Sequence, residues 1–233
     1  RWIKMKNFVK KKNFFLIEDA AESFGSVYKG KKSGKFGIAS AFSFHRTKTI
    51  TTGEGGMIVT DNKSLYEKCK FYRDQGRDVN STYNILELGF KYMPFNLQAA
   101  VGYAQFNRID ELVGKKRYQL EFYRNELSDI DDLTFNEESN TVENGAWITS
   151  MVIGESHNID KETFINKMSK IDIPIRPFFY PLSMLPPFDI EENRKKNPIS
   201  YDVSDRGVNL PGSARLTDDD MKFICDGIKE VLK

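Results

Sequence analysis

The chain has 233 residues, enough to bury a sizeable core in one large or two modest domains. An apolar fraction of 39% beside 29% charged residues is ordinary for a globular protein, and a formal net charge of +2 gives no bulk pull toward nucleic acid or an anionic membrane. No apolar run reaches the length of a membrane span. Cys69 and Cys225 stand far apart without a CxxC pair, which argues for reduced thiols in a cytoplasm and against a zinc site or disulfide framework.

Trp2 to Lys12 suits a helix with Ile3, Met5, Phe8 and Val9 as its apolar side and the intervening lysines as its solvated face. A start at Arg1, on a helix that runs straight into a strand, reads as a fragment lacking its N-terminal part. Phe14-Phe15-Leu16-Ile17 is a short continuous apolar run that stops at the acidic pair Glu18-Asp19, the pattern of a parallel strand covered on both faces. A second strand is expected over Ala39 to Phe44, ending at His45. A third, Gly56 to Thr60, follows the loop Thr51-Thr52-Gly53-Glu54-Gly55. Helices are expected over Ser64 to Asp74, Asn96 to Leu112 and Gly114 to Leu127. This alternation implies an α/β layer architecture.

The polar, acidic stretch from Ser128 to Gly145 marks a domain boundary, dividing 1–127 from 128–233. Beyond it come a strand around Trp147 to Ile153, a helix around Lys161 to Lys170 and an irregular Pro-rich loop from Pro174 to Pro198. The last helix starts at Thr217, whose hydroxyl can cap the following amides, and carries Met221, Ile224, Ile228 and Val231 on one face.

Chemistry concentrates in two stretches. Asp19 stands at the C-terminal end of a buried strand, where open α/β sheets bind ligands, although an aspartate there can equally cap the next helix. The small Ala20 and Ala21 leave room for a flat ring, and a protonated ring nitrogen needs a buried carboxylate beside it. The second stretch is Phe42-Ser43-Phe44-His45-Arg46-Thr47-Lys48. Ser43 can offer a hydroxyl to a phosphate. Lys48 follows on the loop leaving the strand, and a lysine that forms a Schiff base has to lose its proton, which a cationic neighbour such as Arg46 or partial burial favours. Glycines at 53, 55 and 56 let the backbone turn tightly and approach a ligand.

IEDAAESFGS, AFSFHRTKTITTGEGGMIVT, GFKYMPFNLQAAVGYAQ, RPFFYPLSMLPPF and GVNLPGSARLT, in that order along nearly the whole chain, resemble the DegT/DnrJ/EryC1/StrS family of sugar aminotransferases. RPFFYPL looks most like the GDP-perosamine synthases and related 4-amino-4,6-dideoxysugar transaminases of that family. The resemblance implies the fold type I architecture of aspartate aminotransferase, with 1–127 as the C-terminal part of the large cofactor domain and 128–233 as the small α+β C-terminal domain. It implies pyridoxal 5'-phosphate as cofactor, L-glutamate and a nucleotide-linked 4-keto-6-deoxy sugar as substrates, a place in surface polysaccharide or O-antigen synthesis, and a homodimer with shared active sites.

Residue by residue, the resemblance makes Lys48 the Schiff-base lysine and Asp19 the partner of the ring nitrogen. It puts Glu22 beside the ring hydroxyl and Ser43 on the phosphate. Where many relatives have an Asn and an Arg reaching the partner subunit's phosphate, this sequence has Lys91 and Met93; Lys91 can still serve as a point charge. Arg176 and Tyr180, on the Pro-rich loop, are candidate substrate contacts, with plain loop packing as the alternative. Relatives also carry an N-terminal part with a helix N-terminus on the phosphate and an aromatic on the ring, neither of which this sequence has.

Three rivals stand beside this reading. Gly30-Lys31-Lys32-Ser33-Gly34-Lys35-Phe36 is one residue short of a P-loop, and Phe36 replaces its hydroxyl, so it is set aside. A branch of the same family has histidine for the lysine and dehydrates sugars, but the aligned position here is Lys48, three residues after His45. A non-catalytic, regulatory or truncated paralogue that keeps the cofactor without turnover is the third.

Overall fold

The computed structural model describes residues 2–81, 83–188 and 192–233. Arg1 and residues 189–191 of the Pro-rich loop lie outside the described residues, as does the side chain of Ile3. The chain forms two compact units, Arg1–Val113 with Thr141–Trp147, and Gly114–Asn140 with Ile148–Lys233.

The first unit is built on a three-stranded sheet of β1 (Ile17–Asp19), β4 (Ala39–Ser43) and β5 (Gly56–Val59), in that order. β1 runs parallel to β4, with Asp19 opposite Ala41, so both strands end at the same edge of the sheet; β5 returns antiparallel, with Gly56 opposite Ser43. The strand begins later than the apolar run suggests, and it includes the acidic pair. Glu18 is buried there because its two carboxylate oxygens accept the amides of Gly34 at 2.6 Å and Phe36 at 3.0 Å, which compensates the charge. Phe14, Phe15 and Ile17 are exposed: no described residue supplies the cover expected on both faces. A hairpin of β2 (Val27–Tyr28) and β3 (Lys31–Lys32) is extended by β7 (Val142–Glu143), which pairs with β2.

Helix α1 (Trp2–Lys11) precedes the sheet, and α2 (Lys63–Arg73) and α3 (Asn96–Phe106) follow it. Asn62 caps α2 by accepting the Leu65 amide at 3.0 Å. The single helix expected from Asn96 to Leu112 is interrupted. The amides of Asn107 and Arg108 turn back to the carbonyls of Tyr103 and Gln105, and α4 (Ile109–Glu126) starts afresh with Asp110 and Glu111 in its first turn. Gly114 therefore lies inside α4 and not at its start.

The second unit has a four-stranded antiparallel sheet in the order β6 (Leu133–Phe135), β8 (Ser150–Ile153), β10 (Gly207–Asn209), β9 (Arg176–Pro177). Helices α5 (Lys161–Lys170) and α8 (Asp218–Leu232) bury Phe164, Met168, Met221, Ile224 and Ile228 in one core with Met151, Ile153 and Val208 of the strands. α8 starts as its sequence predicts: the Thr217 hydroxyl accepts the Asp220 amide, and Asp220 accepts the Thr217 amide in return. The Pro-rich loop is more regular than expected, with β9, α6 (Glu192–Lys196) and the start of α7 (Pro198–Arg206) within it. The compositional boundary at 127/128 falls inside this unit. α4 carries Lys116, Gln119 and Tyr123, which donate to the carbonyls of Gly212, Ser213 and Pro211, and that grip gathers most of the helix into the second unit. Among the described residues no helix is long and apolar enough to cross a membrane.

Candidate active site

The lysine loop leaves β4 at Phe44 and returns to β5 at Gly56. It is closed at its base by the Thr52 amide on the Phe44 carbonyl and the Phe44 amide on the Gly55 carbonyl, both 2.9 Å. Lys48 sits on the far turn, its amide on the His45 carbonyl at 2.9 Å. Its side chain is only 13% exposed, and its Nζ donates to Glu22 Oε1 at 2.8 Å. Glu22 comes from the turn that follows β1. Asp19 is exposed, not buried as expected, and starts that turn by accepting the Ala21 amide at 3.0 Å, while the Ala20 amide returns to the Ala41 carbonyl at 2.8 Å and leaves Ala20 buried. The Glu22–Lys48 contact thus ties the segment carrying Asp19 to the segment carrying the amine. Ser43 ends the neighbouring strand, its hydroxyl oxygen accepting the His45 amide at 3.2 Å.

Helix α3 holds the Gly-rich part of this loop. The Gln105 side chain accepts the Thr51 amide at 3.1 Å and donates to the Thr51 carbonyl at 2.6 Å, and Gln98 donates to the Glu54 carbonyl at 3.3 Å. A Cβ at Gly102 would stand 2.9 Å from the Thr52 methyl, so glycine lets the helix lie close. Positions 98, 102 and 105 share one helix face. Sequence reasoning gave them no role, although a Gln-x3-Gly-x2-Gln spacing was there to be read.

It also missed Trp147. The indole ring centroid lies 3.9 Å from Lys48 Nζ, and its N–H donates to the Thr47 carbonyl at 2.7 Å. The expected strand from Trp147 is shorter, because this residue belongs with the first unit and β8 begins only at Ser150. His45 places Nδ1 3.0 Å from the Thr47 hydroxyl and Nε2 3.7 Å from Glu54, not against Glu22.

The remaining candidates stand elsewhere. Lys91 donates to Asp74 of its own chain at 2.9 Å, and that hydrogen bond, helped by the charges of Lys91, Arg77 and Arg73, holds the Asp74 carboxyl below the usual range. Met93 lines a cleft beside Arg73 and Arg77. Arg176 and Tyr180 belong to the second unit: Arg176 is exposed on β9 opposite Asn209, and Tyr180 has Lys161 Nζ 5.4 Å from its ring. The centre of the first unit is therefore a sheltered primary amine facing a carboxylate, with a second carboxylate and a hydroxyl at the ends of adjacent strands. Such a set can condense with a carbonyl and move protons at the product.

The chain belongs to the DegT/DnrJ/EryC1/StrS aminotransferase family, whose model matches residues 4–229. It is 38% identical over 221 residues to GDP-perosamine synthase of Escherichia coli O157:H7, covering 95% of this chain and 59% of that protein. It is likewise 38% identical over 215 residues to GDP-perosamine synthase of Vibrio cholerae, covering 92% of this chain and 58% of the other. Helicobacter pylori PseC, an aminotransferase involved in the biosynthesis of pseudoaminic acid, has the same fold, with a TM-score of 0.89 at 22% identity, covering 100% of this chain and 63% of PseC. The chain thus spans about three-fifths of the length of the curated relatives it matches.

Proposed function

We propose that this chain is part of a pyridoxal-phosphate-dependent aminotransferase that moves the amino group of L-glutamate to a nucleotide-linked 4-keto-6-deoxy sugar. Lys48 is the residue that joins the cofactor. One observation carries the reading: Lys48 Nζ is sheltered, and it lies 2.8 Å from a carboxylate on the turn that Asp19 begins. The donor set fits the cofactor. It offers an amine for the aldehyde, a strand-end carboxylate for the ring nitrogen, a strand-end hydroxyl for the phosphate and the small, half-buried Ala21 where a flat ring needs space.

When bound, pyridoxal phosphate supplies an aldehyde that condenses with amines and a ring that accepts an electron pair. Lys48 Nζ binds it covalently and, once displaced by the donor's amine, is the base that takes and returns the proton at the donor's α-carbon. Glu22 receives the displaced amine and keeps it within reach. Asp19 holds a proton at the ring nitrogen, and Ser43 orients the phosphate. Arg176 and Tyr180 are proposed to contact the sugar nucleotide. Lys91 is proposed for a partner subunit's phosphate in a homodimer, for which it has to leave Asp74. The first unit then corresponds to the C-terminal part of the large cofactor domain and the second to the small domain.

Similarity to the two GDP-perosamine synthases supports perosamine-type amination, and with it we propose amination at C4, a place in surface polysaccharide or O-antigen synthesis and a cytoplasmic setting. The histidine-for-lysine dehydratase reading is not favoured, since Lys48 and not His45 meets Glu22. The test uses the full-length gene product with glutamate and a panel of nucleotide-linked keto sugars. Lys48→Ala is expected to lower turnover by at least about a thousandfold, as loss of a covalent nucleophile does. Borohydride reduction followed by peptide mapping should place a pyridoxyl group on Lys48 that prior glutamate removes. An adduct that persists in glutamate would point to a sensor without turnover, and transamination by Lys48→Ala at a comparable rate would sink the assignment.

A further inference from the structure

The segment that ends in Trp147 is held to the first unit with unusual care for a connection. β7 pairs with β2, and the Gly145 amide donates to the Ser26 hydroxyl at 2.9 Å. A Cβ at Gly145 would stand 2.0 Å from the Phe24 carbonyl oxygen, so only glycine lets the chain pass there. Ala146 follows, buried and at φ +50, a left-handed conformation that alanine rarely adopts; its amide is taken up by the Asn144 side chain at 2.8 Å. The strained residue turns the chain so that Trp147 meets the lysine loop twice: its N–H on the Thr47 carbonyl at 2.7 Å, its ring face 3.9 Å from Lys48 Nζ. Strain of this kind persists only where the surroundings over-determine it, and it collects at functional sites.

We infer that Trp147 is a positioning residue for the Lys48 amine through its ring: the indole face, 3.9 Å from Nζ, keeps the amine in one place when it is not joined to the cofactor, and the indole N–H serves only to seat the ring against Thr47. The inference rests on the reading of Lys48 given above. A group that leaves and returns in each half-reaction needs a defined place to wait, and a long lysine side chain in open solvent has none. The Glu22 carboxylate at 2.8 Å and the aromatic face at 3.9 Å supply it, because a π face attracts an ammonium and excludes water from it.

The test compares the full-length wild type with Trp147→Leu, which loses both contacts, and Trp147→Phe, which loses the N–H and the fused second ring but keeps an aromatic face. In one arm, protein without added cofactor is briefly treated with acetic anhydride, and acetylation of Lys48 is measured by peptide mapping against that of exposed Lys32. Lys48 should be modified about tenfold faster in Trp147→Leu and within about threefold of wild type in Trp147→Phe. In the other arm, pyridoxal phosphate is titrated and trapped with borohydride. The concentration that half-saturates Lys48 should rise about tenfold in Trp147→Leu and much less in Trp147→Phe. Equal behaviour of the two variants overturns the inference, since a residue that merely fills space or anchors Thr47 would be lost alike in both. If Trp147→Leu does not fold, Trp147→Phe decides alone: a tenfold rise in Lys48 acetylation overturns the inference, and a rate near wild type supports it. Absence of any wild-type adduct on Lys48 would instead sink the cofactor reading, and the acetylation arm would still decide the role of Trp147.

Discussion

In the second unit Met151, Phe164, Met168, Val208 and Ile228 are at 0% exposure, whereas in the first unit Phe15, Ile17 and Ile58 stand 80%, 68% and 58% exposed, although they lie on or beside the strands of its sheet. The residue types are the same; what differs is what packs on them. α5 and α8 lay apolar faces onto the second unit's sheet, while α2 and α3 of the first unit carry no buried residue at all. An apolar surface of that extent is the kind that further polypeptide covers. In the first unit order comes instead from polar ties: Glu18 on two amides, Gln105 on Thr51, Trp147 on Thr47. One unit is held by a large core, and the other by hydrogen bonds around its site together with a few buried apolar residues such as Ile50 and Ala39.

This contrast breaks or sharpens under mutation, and the largest effect belongs to the second unit. Phe164→Ala should lower unfolding free energy by about 3–5 kcal/mol in urea titrations, the usual cost of emptying a ring-sized core position. Phe15→Ala, although it removes the same side chain, should change stability by less than about 0.5 kcal/mol. Comparable losses at the two positions would mean that Phe15 is covered in solution and would erase the contrast. Next in size is Glu18→Ala, which leaves the amides of Gly34 and Phe36 without their acceptor. It should cost about 1–3 kcal/mol. Hydrogen exchange localises the effect: protection should fall at Gly34 and Phe36 and stay unchanged in α5 and α8.

How much of this was legible in the sequence follows the same division. β4, β5, α2, α5 and α8 were readable because each carries a local signal, whether an apolar run, a helical stripe or a Thr217-type cap. The two-residue strands β2, β3, β7 and β9 have no such signal, since their pairing is decided by residues far away in the chain. α7 was missed although Pro198 stands at its first turn, a position that proline favours. Glu18 could not be read as buried, because the amides that neutralise its cost arrive from a loop beyond the β2–β3 hairpin. At the candidate site, Asp19, Glu22, Ser43 and Lys48 fall in two compact motifs, and their proposed roles rest on the family resemblance those motifs carry. Trp147 lies far along the chain from Lys48, and only the β7–β2 pairing brings it back.

The smallest expected effect tests whether the second unit, held by its core, also leans on its helix caps. Asp220 accepts the Thr217 amide and hydroxyl, and these bonds, the backbone one first, hold its carboxyl below the usual range; Asp160 is lowered in the same way by the amide and hydroxyl of Thr163. A folded pKa below the unfolded one stabilises the protein above the ordinary carboxylate range, and that contribution disappears as pH falls through the folded value, below about pH 4. Thr217→Ala should cost about 1 kcal/mol near neutral pH, as cap removal does. Asp220→Asn keeps an acceptor but not the charge, so its melting temperature should lie slightly below wild type at neutral pH and converge on it as the solution is acidified. A gap that stays constant through the acid limb would mean that the charge of Asp220 contributes nothing there, leaving the core alone to hold the unit.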